Sequence, residues 1–452
     1  MVTKSILSTK VIAIVAAAVI VGAGVAVYAV TNNNGDNNNS NKIESMLMIC
    51  GNADNNDRID SADVALVQKI IDGKLASADY PLADANNDGK VDSGDIALIN
   101  KMIGHESAKI FVLTVDADKT PKKVEVSYPL KNVVPVSSNM TMTLINVGGT
   151  PSTAGCFNCE YETAQKVMKT SSAVDLGGDK RVISEAAWQN FMKLDGNLKS
   201  KGGIGALLVD QSAKTLDTYR PALVAAGIPE LRFEVAEAYG EIASALTIGF
   251  LLGSNTQKIA EKYATMSWDI INTIKSKTSK IADADKKSYI CITMSTYVCQ
   301  NDSDFNQAPE YAGGVKYSKV NAEFANKYKG NGSVKMASTE ALSNYGSANY
   351  IISNRSTDYG QKDISATMKV EWNKNISYYE KLTNYKNMVY LNNLLPGICK
   401  IAYSASILYP EIFTKSWADG VMTQFMENFE TLKGQTLNSV VTVFTYDDYV
   451  KS

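Results

Sequence analysis

Histidine is almost absent: a single residue, His105, in 452. That count argues against a metal centre built on several imidazoles and leaves His105 as the one residue that could serve as the base of a hydrolytic triad. An excess of charge of either sign is missing as well. Lys and Arg number 45 against 47 Asp and Glu, a formal net charge of −2, so no broad basic field marks a nucleic-acid partner. No nucleophile–base pair, phosphate loop or catalytic metal cluster can be assembled from the sequence, so the chain does not read as an enzyme. What it does hold is 45% hydrophobic residues, enough to bury a sizeable core, and a length that suits about two to four structural units.

Lys4 and Lys10 precede a charge-free run, Val11 to Val30, rich in Ala and Val. About twenty such residues span a bilayer as a helix, and lysines before them favour a cytoplasmic N-terminus. The expectation is a signal-anchor transmembrane segment over 1–30 that holds the protein in the cell membrane in a single pass. The competing expectation is a cleaved signal, for which Val27-Tyr28-Ala29 is an acceptable site. Thr31 to Asn41 is Asn-rich and polar, which makes 31–50 a solvated spacer. The bulk of the chain then lies outside the cell.

Residues 51–104 contain one pattern twice. GNADNNDRIDSADVALVQKIIDG recurs 32 residues later as ADANNDGKVDSGDIALINKMIG. In the second copy Asp84, Asn86, Asp88, Asp92 and Asp95 occupy loop positions 1, 3, 5, 9 and 12, with Gly89 at position 6 and Lys90 at position 7. Alternate oxygen side chains in a tight loop converge on one hard cation, position 7 adds its backbone carbonyl, and glycine at position 6 permits the sharp turn. The first copy offers Asn52, Asp54, Asn56, the Arg58 carbonyl, Asp60 and Asp63, but has Asp57 where glycine is expected. Three carboxylates against four predict weaker calcium binding there, with two Ca2+ ions in all. Both loops end in Asp rather than Glu, and Tyr80-Pro81 argues against a long helix entering the second loop. Val64, Val67 and Ile71 match Ile96, Ile99 and Ile103 as the faces that pack together.

That variant, in tandem with a helix after each loop, resembles a dockerin. The resemblance implies a small all-α calcium-loop fold and a cohesin-bearing partner outside the cell, with Ser61-Ala62 and Ser93-Gly94 at the positions that commonly face cohesin.

From Lys109 onward the pattern changes. Short alternating runs (KIFVLTV, KKVEVSYPL, NVVPVSS) read as a hairpin and a first strand. Between Phe233 and Ile281 two helices are broken at Leu252-Gly253-Ser254-Asn255, where Gly253 takes a left-handed position and Ser254 or Asn255 caps the next helix. In the second helix Ile259, Tyr263, Met266, Ile270 and Ile274 form one apolar stripe, on a rod roughly 40 Å long at 1.5 Å per residue. With IGALLVDQS, LVAAGIPELRFE, LLGSNTQKIAEKY, KKSYICITMSTYV, EYAGG, STEALSNYGSANYIISN, NYKNMVYLNN and LYPEIF in this order, residues 109–452 resemble the substrate-binding proteins of ABC importers for iron chelates, haem and cobalamin. The resemblance implies an α/β fold of two Rossmann-like lobes, 109–231 and 284–452, joined by long helices over 232–283. It further implies a permease and ATPase as partners and a metal chelate or corrinoid as ligand.

In such a fold the ligand is held by loops at the carboxyl ends of strands. That singles out Ser137, Ser138, Asn139, Asp210 and Gln211 in the first lobe, and Tyr297, Asn354 and Arg355 in the second. A guanidinium at 355 suits a carboxylate or the anionic oxygens of a chelate; a solvated loop arginine is the plain alternative. Trp372 reads better as core than as a ligand platform. Asn139-Met-Thr and Asn354-Arg-Ser are also glycosylation sequons. Glu185 and Glu340 each open a helix after Ser or Thr, which a helix N-terminus favours by itself. The resemblance assigns them to docking on permease arginines. Cys50, Cys156, Cys159, Cys291, Cys299 and Cys399 leave disulfides, buried thiols and metal or redox work all open. The leading reading is a membrane-tethered solute-binding protein with a dockerin, and the alternative is a surface scaffolding protein without a transport role.

Overall fold

The structure is a computed structural model, and it describes residues 47–116, 118, 120–150, 185–210, 216–235, 238–293, 297–336, 347–355, 362–373, 380 and 384–451. The Val11–Val30 run, the spacer up to residue 46, Cys156, Cys159, Gln211 and Glu340 lie outside the described residues. No helix among the described residues is long and apolar enough to cross a membrane.

Two eleven-residue helices, α1 (Ser61–Ile71) and α2 (Ser93–Ile103), follow the two loops. Each starts on a reciprocal cap: Asp60 with Asp63, and Asp92 with Asp95, which satisfies the orphan amides of the first turn. Only a single turn of 3-10 helix, Ser77–Asp79, precedes the second loop, as Tyr80-Pro81 predicts. The packing face differs from the expected one by a residue. Val67 and Ile99 are fully buried, but Ile70 and Met102 join them while Ile71 and Ile103 are exposed. A face built on i and i+3 is enough for helices this short.

Next comes an antiparallel hairpin, β1 (Ala108–Val115) and β2 (Pro121–Tyr128), in register from Ala108 opposite Tyr128 to Val115 opposite Pro121. A parallel sheet follows, with β4 (Ala206–Asp210) between β3 (Val133–Val136) and β5 (Glu230–Phe233). Each of its strands is buried along its whole length, as a sheet covered on both faces requires. Alternation divides the faces: Leu207 and Val209 pack with Trp188 and Phe191 of α4 (Glu185–Leu198), and Ala206 and Leu208 turn to the central core. Helices α3 (Ser138–Asn146) and α5 (Arg220–Ala226) follow β3 and β4.

Helices α6 (Ala238–Leu252) and α7 (Ser254–Thr278) then pack on one another. The break lies at Gly253, φ 113°, which itself stands at the N-cap with no side-chain bond. Neither Ser254 nor Asn255 caps α7; both are inside the helix. The stripe on α7 is real: Tyr263, Met266, Ile270 and Ile274 are buried.

A second, larger sheet has the order β12-β11-β10-β6-β7-β9, formed by β6 (Ser288–Thr293), β7 (Tyr297–Cys299), β9 (Ser333–Lys335), β10 (Tyr350–Arg355), β11 (Met388–Asn392) and β12 (Val443–Thr445); β8 (Val315–Lys316) pairs with β6. Its centre, β6, β10 and β11, is parallel. Helices α8 (Ile364–Asn373), α9 (Gly397–Leu408), α10 (Lys415–Asn428) and α11 (Tyr446–Lys451) complete it. Trp372 is fully buried against Tyr390, Phe444 and Tyr449, a core residue. One continuous apolar core runs through Ile49, Val67 and Ile99, the hairpin residues Ile110 and Val112, then Leu208, α6, α7, Tyr289 and Phe425. The calcium-loop unit shares that core with the rest of the molecule.

Candidate metal centre and ligand-binding surfaces

Loop 2 is built around the carboxylate of Asp84. Its Oδ1 accepts from the Asp88 N–H (3.1 Å) and its Oδ2 from the Gly89 N–H (2.9 Å). Asn86 Oδ1 accepts from Asp88 N–H at 2.9 Å, and Asp88 Oδ1 from Lys90 N–H at 2.9 Å. Asp95, fully buried, accepts from Ala85 and Asn86 through Oδ1 and from Asp92 through Oδ2. Asn87 (φ 55°) and Gly89 (φ 89°) supply the left-handed residues that curl the loop. Burial pushes the Asp95 carboxyl above its ordinary range, and a cation beside it would hold it ionised. Four carboxylates, one amide oxygen and the Lys90 carbonyl on one small loop are the donors a calcium ion takes.

Loop 1 differs at its first, third, fifth and sixth positions, with Asn52, Asp54, Asn56 and Asp57 where loop 2 has Asp84, Asn86, Asp88 and Gly89. Asn52, fully buried, donates through Nδ2 to the carbonyls of Leu47 (2.8 Å) and Asn56 (2.7 Å), and accepts from Asn56 N–H at 3.2 Å. Asn55 keeps the left-handed turn (φ 62°), whereas Asp57 is not left-handed. Asp63 accepts from Asp54 and Asp60, and burial pushes its carboxyl up to about 7. Burial also raises Asp54.

The nominated ligand residues that the structure describes lie at or just past the carboxyl ends of β3, β4 and β10, with Tyr297 opposite the end of β6. Ser137 (φ 110°) follows β3 and caps α3 through Oγ, accepting from Met140 N–H at 3.2 Å. Ser138 opens α3, and Asn139 beside it is exposed. Asp210, buried, ends β4 opposite Phe233. In the second sheet Tyr297 pairs with Thr293, and Asn354, buried, pairs with Thr293 and Leu391. Arg355 Nη2 lies 2.5 Å from Glu371 Oε2 on α8. That ion pair within the second half is what the sequence did not reveal, since Glu371 is 16 residues away. Glu185 is exposed at the start of α4, accepting from Gln189 Nε2 at 2.7 Å and from the Tyr219 hydroxyl at 3.4 Å.

Sequence reasoning missed one buried group. Glu241 on α6, 4% exposed, accepts from the Tyr263 hydroxyl of α7 at 2.6 Å. Lys400 on α9 lies close enough for Glu241 and Asp304 to counter the lowering of its pKa by burial. A lone acid in the apolar run Ala238–Leu252 was the available signal. Cys50, Cys291, Cys299 and Cys399 are buried free thiols, which selects the buried-thiol alternative of the three left open by the sequence for these four. Burial pushes Cys50 up to about 11 and Cys299 up to about 12, far from the low values of reactive thiols.

The sequence over residues 51–104 matches the dockerin type I domain family. Residues 51–104 are a dockerin. Among solved structures the fold is similar to that of a TroA-like periplasmic binding protein, FepB, from Veillonella parvula: 14% identity, TM-score 0.54, covering 74% of this chain and 99% of that one. It is likewise similar to an ABC transporter solute-binding protein from Sulfurospirillum deleyianum DSM 6946, at 12% identity and TM-score 0.52, covering 75% of this chain and 99% of that one. No curated protein matches by sequence. The chain is thus a dockerin followed by a mixed α/β body with the fold of the TroA-like periplasmic binding proteins.

Proposed function

We propose that this chain is an extracellular solute-binding protein of an ABC importer whose dockerin takes calcium and a cohesin-bearing partner. What supports the binding role is a parallel sheet before helices α6 and α7 in the chain and a sheet with a parallel centre after them, in a fold that covers 99% of each of the two solute-binding proteins named above. Ligands in open parallel sheets sit at the carboxyl ends of strands. Ser137, Ser138, Asn139, Asp210 and Gln211 on one edge, and Tyr297, Asn354 and Arg355 on the other, are the residues proposed to meet an iron chelate, haem or corrinoid. Arg355 would have to leave or share Glu371 to do so. The 25-residue helix α7 resists bending, so the lobes would close only modestly. Glu185 and Glu340 are proposed to dock on permease arginines, and the Val11–Val30 run to tether the chain.

Native mass spectrometry of the full chain in detergent tests the reading. A co-purifying metal chelate or corrinoid, released on denaturation, is expected; a chain that never carries a small molecule and binds none of these ligands when they are added would overturn it. The pairing of Arg355 with Glu371 favours the second reading, a surface scaffold without a transport role, for which cohesin capture persists while no solute binds.

A further inference from the structure

The two loops of the dockerin are copies in sequence but not in the direction of one peptide bond. In loop 2 the N–H of Gly89 points inward and donates to Asp84 Oδ2 at 2.9 Å. The equivalent peptide in loop 1 joins Asn56 to Asp57, and there the carbonyl points inward. Asn56 O accepts from Asn52 Nδ2 at 2.7 Å and from the Leu47 N–H at 2.9 Å. Carbonyl and N–H of one peptide point in opposite directions, so the 56–57 peptide is turned over relative to the 88–89 peptide. The amide orientation of Asn52 is fixed by its surroundings, because only an NH2 group can bond the two carbonyls of Leu47 and Asn56.

One exchange explains two of the departures of the first repeat, Asn52 and Asp57. A carboxylate at position 1 needs an inward N–H at position 6, and delivering it requires left-handed backbone there, which glycine supplies at Gly89 (φ 89°). An amide at position 1 brings its own donor and needs an inward carbonyl, so position 6 leaves the left-handed region and Asp57 is tolerated. The first position thereby spends both amide protons on carbonyls and keeps only Oδ1, which accepts from the Asn56 N–H as Asp84 Oδ1 does from the Asp88 N–H; with Asn56 at position 5, the loop holds three carboxylates against four. That donor set does not fit a calcium ion as loop 2 does.

The same bonds hold something else. Leu47 to Cys50 is clamped on one side by Asn52 and Asn56, and on the other it joins the solute-binding body. Ile49 bridges Val112, Cys50 N–H donates to Phe111 O at 2.9 Å, Leu113 N–H donates to Met48 O at 3.0 Å, and Met48 N–H donates to Thr247 Oγ1 on α6 at 3.0 Å. In repeat two the residue in the place of Leu47 is Asp79, whose N–H is spent within its own turn on Ala76 O.

We propose that loop 1 is a metal-free, hydrogen-bonded clasp that fixes the dockerin to the solute-binding body, and that the chain takes one calcium ion, in loop 2. This replaces the two ions expected from the sequence, and it rests on the calcium reading of loop 2. Native mass spectrometry and calcium titration of the full chain in detergent, from a calcium-free start, test it. One ion is expected, lost in Asp84→Ala and kept in Asp54→Ala. The double variant Asn52→Asp/Asp57→Gly restores the donor and turn chemistry of loop 2 and should gain a second ion. Two ions on the unaltered chain, one of them lost in Asp54→Ala, would overturn the clasp. So would a folded double variant that still takes one ion. No ion at all would instead overturn the calcium reading of loop 2, and this inference with it. Hydrogen exchange gives an arm that needs no variant. In chelator the amides of Leu47, Cys50 and Asn56 should stay protected while those of Asp88, Gly89 and Lys90 lose protection at least tenfold. Equal loss in both loops would count against the clasp.

Discussion

The hydroxyl of Tyr263 on α7 donates to the carboxylate of Glu241 on α6 at 2.6 Å, with both side chains buried. A hydrogen bond to a charged group inside a core is among the strong ones, worth about 1.5–3 kcal/mol. Tyr263→Phe keeps the ring, which packs edge-on to Phe425 and Phe429, and removes only the bond. Urea unfolding should show a loss in that range. A loss under about 0.5 kcal/mol, the size of an ordinary surface change, would mean that Glu241 is held by other groups. Gly397→Ala approaches the same carboxylate from α9, where a Cβ would run into Glu241, and should cost about 1–3 kcal/mol.

Two glycines at the turn between α6 and α7 should fail for different reasons. Gly253 has φ 113°, and a would-be Cβ there makes only an ordinary contact with Pro129, at 3.9 Å, so Gly253→Ala costs backbone strain alone, about 1–3 kcal/mol. Gly249 has ordinary helical backbone, but its Cβ would strike the Ala260 side chain and the Thr256 carbonyl. Gly249→Ala should therefore be partly rescued by Ala260→Gly, and Gly253→Ala should not. A double-mutant cycle read by thermal unfolding separates the two.

The dockerin was legible because oxygen side chains at alternate positions and a 32-residue duplication in register are hard to reach by chance. The hairpin, β3, β4 and the break at Gly253 were legible because alternation, continuous apolar runs and a glycine between helical patterns each have a local cause. Asn52 and Asp57 were visible as departures, yet their joint meaning lay in a peptide orientation that no single position encodes. Choosing Ile71 and Ile103 over Ile70 and Met102 was a one-residue error in helical phase, since adjacent apolar residues leave the face ambiguous. Arg355 with Glu371 and Glu241 with Tyr263 depend on which helix lies across from which, and that is decided by tertiary packing.

The four buried thiols predict a dependence on pH. Burial raises Cys50 from 9.0 to about 11 and Cys299 to about 12, so above pH 9 the folded chain keeps protons that the unfolded chain releases. Stability contributed by these groups is full below pH 9 and is lost as pH rises from 9 through about 11 for Cys50 and about 12 for Cys299. Urea midpoints should hold steady near pH 8 and fall from pH 9 upward, and the fall should shrink in Cys50→Ser/Cys299→Ser. A thiol reagent at pH 8 should label none of the four until the chain unfolds; prompt labelling would contradict their burial.

Thr247 gives the sharpest test of how the dockerin is joined to its neighbour. Its hydroxyl donates to Ala243 O at 2.8 Å within α6 and accepts from Met48 N–H at 3.0 Å. Thr247→Val keeps the shape but leaves the Met48 N–H without its acceptor in a fully packed position, at a cost of about 1–3 kcal/mol. Thr247→Ser keeps the hydroxyl and should recover most of it. The cost should appear as faster exchange at Met48, Ile49 and Cys50, with the amides of Asp88, Gly89 and Lys90 in loop 2 unchanged when calcium is present. If Thr247→Val leaves exchange at Met48 as it was, the bond does not hold the two units together, and the joint rests on the backbone bonds to Phe111 and Leu113 and the apolar contacts of Ile49 and Val112.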